Sequence, residues 1–191
     1  MSNTPTSLEV TPHLVKYSVP FAAAANAGLI RAAEALRMEP TEVIQRATLR
    51  FLIDDDFIDK PAADRIKLFW ALVDQTVTAA QDICRRGEFD ASITLNAIKM
   101  CMKNAARLDG FKCTWVEGYR TYIGDDIFKN GKPAKGPINR EIGFRIRAGI
   151  GGETEKGPDG KAKTVKVLGE IIQSFTPMAD YDRAAFGPKT N

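Results

Sequence analysis

The chain has 191 residues, of which 44% are hydrophobic and 27% charged, with a formal net charge of +3. That length can bury one sizeable core, or a small and a medium one, and the balance is that of an ordinary globular protein. It excludes membrane-spanning helices, since no apolar run approaches the roughly 20 residues a bilayer demands. Residues 1–10, MSNTPTSLEV, lack the basic start and apolar stretch of a secretory signal, so a cytoplasmic location is expected. Cys84, Cys101 and Cys113 are odd in number and unrelated in spacing, and His13 is the single histidine. Neither a disulfide framework nor a zinc site is expected from them, and the cysteines read as small buried hydrophobes.

The net charge conceals a gradient. Residues 1–59 carry five Lys/Arg against eight Asp/Glu, whereas residues 111–191 carry fourteen against ten. Within the basic part, Lys129, Lys132, Lys135, Arg140, Arg145 and Arg147 share their stretch with one acid, Glu141. Such a concentration attracts polyanions.

In chain order, residues 1–12 are polar, with prolines at 5 and 12, and read as a mobile arm. HLVKYSVPF (13–21) alternates like a surface strand and stops at Pro20. Residues 22–37 are strong helix formers, with Leu29, Ile30, Ala33 and Leu36 on one face. A second helix starts near Pro40, carries Val43, Ile44, Ala47, Phe51 and Leu52, and should end at Asp54-Asp55-Asp56. A third begins near Pro61 and repeats Ile66, Phe69, Trp70, Val73 and Val77 towards a stop at Gly87. A fourth follows Asp90 as N-cap, with Ile93, Ala97, Ile98, Cys101 and Met102 along it, and ends near Asp109-Gly110.

After Gly110 the residues change character. FKCTWVEGYRTYIGDDIF (111–128) is aromatic and β-favouring, and KNGKPAKGP (129–137) reads as a basic surface loop. EIGFRIRAGI (141–150) alternates, placing Ile142, Phe144, Ile146, Ala148 and Ile150 inside and Arg145 and Arg147 outside. Pro158-Asp159-Gly160 signals a tight turn, and TVKVLGEIIQSF (164–175) reads as a return strand. The expected fold is therefore α+β, with a helical middle and a C-terminal β-hairpin or small antiparallel sheet.

VKYSVPF followed by LIRAAEALRMEPTEVIQRATLRFL resembles the ribbon-helix-helix fold of Arc- and MetJ-type regulators, over residues 13–53. In that family two copies of the strand pair into a ribbon that lies in the DNA major groove. The resemblance implies a homodimer with Val15, Tyr17 and Val19 facing its core, and Leu14, Lys16 and Ser18 contacting bases. It also implies that Pro40, Thr41 and Glu42, opening the second helix, contact phosphate. The expected organisation is an arm at 1–12, a ribbon-helix-helix unit at 13–58 and a helical hairpin at 59–110. A basic β-containing extension at 111–178 and a tail at 179–191 complete it. Secondary DNA contacts are expected from Lys129, Lys132, Lys135, Arg140, Arg145, Arg147, Lys163 and Lys166.

No catalytic constellation is expected. His13 has no nucleophile partner implied by spacing, and Asp54, Asp55, Asp56 and Asp59 lack calcium-loop spacing. GIGG (149–152) does not open a helix in this reading, and Gly160-Lys161 is followed by Ala162, so neither nucleotide motif is met. The expectation is a non-enzymatic, cofactor-free, cytoplasmic transcriptional regulator that binds double-stranded DNA as a dimer or a higher assembly on DNA, with no membrane partner. Two alternatives stay open: an accessory factor of plasmid or mobile-element transfer or partition, and an antitoxin-like interaction protein.

Overall fold

The computed structural model describes residues 20–124, 128–129, 132–133 and 136–187. The alanine-rich run forms α1 (Ala23–Leu36), and Arg37 turns left-handed at φ 49° to end it. The N–H of Met38 donates to Ala33 O at 2.9 Å across that turn. A left-handed arginine costs about 1 kcal/mol, and its side chain is held from elsewhere: the guanidinium meets Asp182 at 3.0 Å and lies 4.5 Å over the Phe186 ring. Pro40 then opens α2 (Pro40–Asp54), where its missing N–H is harmless. The carboxylates of Asp54, Asp55 and Asp56 are exposed at its end.

The core is built around α3 (Lys60–Arg85), which packs against α4, α5, α6 and α7. Asp59 caps it by accepting from the Ala62 N–H at 2.8 Å. Leu72, Val73, Thr76, Ala80 and Cys84 are buried on its inner face. α4 (Ile93–Lys103) covers that face with Ile93, Ala97, Ile98 and Cys101. α5 (Trp115–Ile123) contributes Trp115, whose indole N–H is shared between Leu72 O and Thr76 Oγ1, both at 3.1 Å. Its ring stacks on Tyr119 with centroids 5.0 Å apart.

α6 (Gly136–Gly149) completes the helical body. Ile138, Ile142 and Ile146 recur every four residues as one buried stripe, continued by Ile150. Gly149 lets α6 close on α3: a Cβ there would fall 2.5 Å from Val77 Cγ1. Gln81 of α3 donates to the Gly149 carbonyl at 3.0 Å.

The strands are short antiparallel pairs. β1 (Phe128–Lys129) pairs with β2 (Lys132–Pro133), β3 (Glu153–Thr154) with β6 (Met178–Asp180), and β4 (Val165–Lys166) with β5 (Ser174–Phe175). Gly160 N–H donates to Gly157 O at 2.9 Å, closing the Pro-Asp-Gly turn. α7 (Arg183–Phe186) ends the described chain.

This architecture corrects the α+β, ribbon-helix-helix expectation: it is mostly helical, with seven helices among the described residues. No strand precedes α1 among the described residues, and residues 13–19 of the expected ribbon lie outside them. Three ion pairs link α1, α2 and the turn between them to the rest of the chain. Arg37 is tied to Asp182, Arg46 of α2 to Asp74 of α3, and Glu42 of α2 to Arg145 of α6.

The largest correction concerns residues 141–150, expected as a strand and found in and just after α6. Alternation over ten residues also fits a helix, and the four-residue isoleucine period beginning at Ile138 decides between them. The consequences are opposite for two side chains: Phe144 is 52% exposed and Arg145 is 6% exposed. Deprived of that partner, residues 164–175 fold on themselves, with Val165 opposite Phe175. Within the aromatic stretch after Gly110, Trp115–Ile123 is also helical, because Thr114 and Glu117 form a reciprocal capping box. The segment expected as a tail from residue 179 instead carries α7 and buries Tyr181 and Phe186.

Candidate nucleic-acid interface

On the side of α6 away from Arg145, one stripe of the helix lines a cleft of about 490 Å³. The stripe is Gly136, Asn139, Arg140, Gly143, Phe144 and Arg147, the spacing of one helical face. The two glycines keep its rim low. Facing it are Ile172, Gln173, Ser174, Phe175 and Thr176 on and around β5, with Thr154 and Thr164 beside them. Thr94 of α4 and Met178 of β6 also line it.

Among the described residues no lining side chain carries a carboxylate, while two carry guanidinium groups and six offer hydroxyls or carboxamides beside Asn139. Arg147 is exposed, its guanidinium 5.6 Å over the Phe144 ring, and no described residue makes an ion pair with it. Arg140 is also exposed. Thr94 is 4% exposed, yet among the described residues its hydroxyl has no hydrogen-bond partner, so a donor and acceptor stands ready at the cleft wall.

Asn139 is oriented from behind. The Tyr119 hydroxyl donates to its Oδ1 at 2.9 Å, which leaves the amide NH2 for the cleft. Burial pushes the Tyr119 phenol up to about 12, against the opposing hydrogen bond to Asn139, so it stays a neutral donor.

The opposite side of α6 is engaged internally. Arg145 donates to Glu42 Oε2 at 2.6 Å, Arg46 approaches Glu42 at 3.3 Å, and Arg46 grips Asp74 through two 2.9 Å bonds. Burial pushes the Glu42 carboxyl up, while Arg145 and Arg46 pull it down. The expected phosphate contact at Glu42 and the expected outward contact at Arg145 thus meet each other instead of solvent. Thr41 is exposed and Pro40 half-buried at the start of α2.

Of the other expected contacts, Lys163 is held by Glu155 at 2.9 Å and Lys166 is exposed on β4. Lys129 and Lys132 are register partners in the β1–β2 pair. Leu14, Lys16, Ser18 and Lys135 lie outside the described residues. The structure brings Arg140 and Arg147 together and separates Arg145 from them. Asn139, Phe144 and Thr94 were missed by sequence reasoning; an Arg140, Phe144, Arg147 stripe at helical spacing is the signal that was available.

A second, shallower depression contains Arg86, Lys99 and Lys103, but Glu88 holds Arg86 at 3.0 Å and Glu170 holds Lys99 at 2.6 Å. Among the described residues no group of three His, Cys, Asp or Glu side chains could hold a metal ion, and no helix is long and apolar enough to cross a membrane.

No protein-family model, curated protein or solved structure matches the chain.

Proposed function

We propose that the protein binds DNA, with the arginine stripe of α6 gripping phosphate, and that it acts as a regulator in the cytoplasm and not as an enzyme. The observation that carries this reading is a cleft lined by Arg140 and Arg147 and, among the described residues, by no carboxylate. Guanidinium groups match phosphate oxygens in a planar, two-pronged fashion, and nearby hydroxyls and amides add the neutral donors usual at DNA backbones. Basic residues elsewhere in 129–166 extend the favourable field around it.

The working form in this proposal is a homodimer. α1 and α2 bury only Ala33 and Ile53, and Ile30, Leu36 and Phe51 stand exposed on them, with Phe21 and Phe57 at either end. Exposed apolar side chains in such number, on elements that already carry a helix-helix contact, suit a second copy of the same surface.

Footprinting with the full chain on DNA from its own genetic neighbourhood tests the reading. Protection at promoters identifies a transcriptional regulator, and a single origin-like cluster identifies an accessory factor of transfer or partition. Absence of DNA retention at low salt rejects the proposal.

A further inference from the structure

The shape of the cleft bears on which form of DNA it takes. A duplex is read by elements that protrude into its grooves, and its bases are closed to a concave site. A cleft of about 490 Å³ lies within the range of small-molecule sites, roughly 300–1,000 Å³, and fits one nucleotide lifted out of a stack. Its chemistry divides in the same way. Arg140 and Arg147 are each about one turn from Phe144 along one helical face, so an anion and a planar ring are accommodated side by side. Phe144 is 52% exposed, and Arg147 covers one part of its ring, leaving aromatic surface open. Thr94 is 4% exposed with no described partner for its hydroxyl, and the Asn139 amide is aimed by Tyr119. Those two groups can meet the polar edge of a base.

We infer that the cleft seats an unpaired nucleotide, its phosphate held by Arg140 and Arg147 and its base stacked on Phe144. The inference rests on the DNA-binding reading above and specifies the strand form at that site. Single-stranded contacts of this kind combine a cationic track with aromatic platforms, and each stacked base contributes enough to be seen on removal of the ring.

Fluorescence anisotropy with labelled dT12 and with a 12-base-pair duplex, on the full chain, tests it. Wild type should bind dT12 about ten-fold more tightly than the duplex. Phe144→Ala should weaken dT12 binding by roughly ten-fold, as removal of one stacking platform implies, and leave duplex binding unchanged; Phe144→Tyr should restore it. Equal affinity for the two forms, or an equal effect of Phe144→Ala on both, overturns the single-strand inference and leaves DNA binding standing. If wild type binds neither form, the DNA reading itself fails. In that event thermal stabilisation by dTMP, abolished in Phe144→Ala, would retain the nucleotide site, and its absence would reject the site too.

Discussion

Arg145 of α6 donates to Glu42 of α2 at 2.6 Å, with Arg145 almost wholly buried and Glu42 mostly so. The pair sits directly behind the cleft stripe, two residues before Arg147, and ties the N-terminal helix pair to the helix that carries the proposed DNA contacts. One guanidinium nitrogen, Nε of Arg145, has no partner among the described residues, so the pair is not fully satisfied. Burying two charges is expensive, and removing one alone is worse.

Truncating one partner should therefore destabilise sharply. Arg145→Ala leaves Glu42 beside a cavity, with Arg46 as its one remaining cation among the described residues, and should cost about 3 kcal/mol, whereas the double change Glu42→Leu with Arg145→Met should come out close to neutral. Urea unfolding of the two single variants and the double variant measures both values. Equal losses in the single and double variants would show that packing volume, not charge pairing, sets the cost.

A second tie is sensitive to acid. The Arg37 guanidinium, and after it the Ala185 N–H, hold the Asp182 carboxyl below the ordinary carboxylate range. A depressed folded pKa means the stabilisation is present above the unfolded value near ~4 and is lost as pH falls through the lower folded value. Hydrogen-exchange protection in residues 23–37, taken relative to the intrinsic rate at each pH, should fall below about pH 4 in wild type, and Asp182→Asn should show the lower protection at every pH. Protection in that helix independent of pH and of Asp182 would sever the link between the α1–α2 turn and the C-terminal segment.

The three thiols should separate by reactivity. Burial pushes both Cys84 and Cys101 up to about 11, and Cys113 is only partly buried. Thiolate is the reactive species, so a disulfide reagent at pH 8 should modify one cysteine in the native protein and three after denaturation. Mass mapping should place the early label on Cys113. Early labelling of Cys84 would contradict its packing on α3.

The dimer proposal can be tested by solution mass. Wild type should run at twice the 21.0 kDa of one chain. Replacing Phe51 and Phe57, whose rings lie 5.8 Å apart and are both exposed, with serine should shift the equilibrium to monomer without lowering the melting temperature of the helical body. A monomeric wild type at tens of micromolar would remove the dimer from the account.

Helices α2 and α3 were readable because Pro40 and Pro61 mark their entries and an apolar period, including Val73 and Ile83 on α3, runs along them; α1 has no capping side chain, and α4 has Ser92 and not Asp90 as N-cap and ends at Lys103, short of the expected Asp109-Gly110. Legibility failed where two periods coincide. Ile142, Ile146 and Ile150 satisfy both a strand and a helix, and only Ile138, four residues earlier, breaks the tie. That one misreading moved Phe144 indoors and Arg145 outdoors, and so hid the stripe that lines the cleft. The Thr114–Glu117 capping box was a local start signal outweighed by an aromatic-rich composition. Glu42 shows another limit: near a helix N-terminus a carboxylate is at home for local reasons, and its partner 103 residues away is a tertiary fact. The basic count of the C-terminal part did point to a cationic surface, but not to which arginines would face outward.

The proposed contact with DNA phosphate runs through Arg140 and Arg147. Its most direct test is the salt dependence of DNA affinity, by anisotropy between 50 and 200 mM salt, for wild type and for the double variant Arg140→Ala with Arg147→Ala. Both side chains are exposed, so the variant should keep its fold by circular dichroism. Binding should weaken and the log–log salt slope should become shallower by about two units, one for each phosphate that is no longer neutralised. Wild-type affinity with an unchanged slope would contradict it.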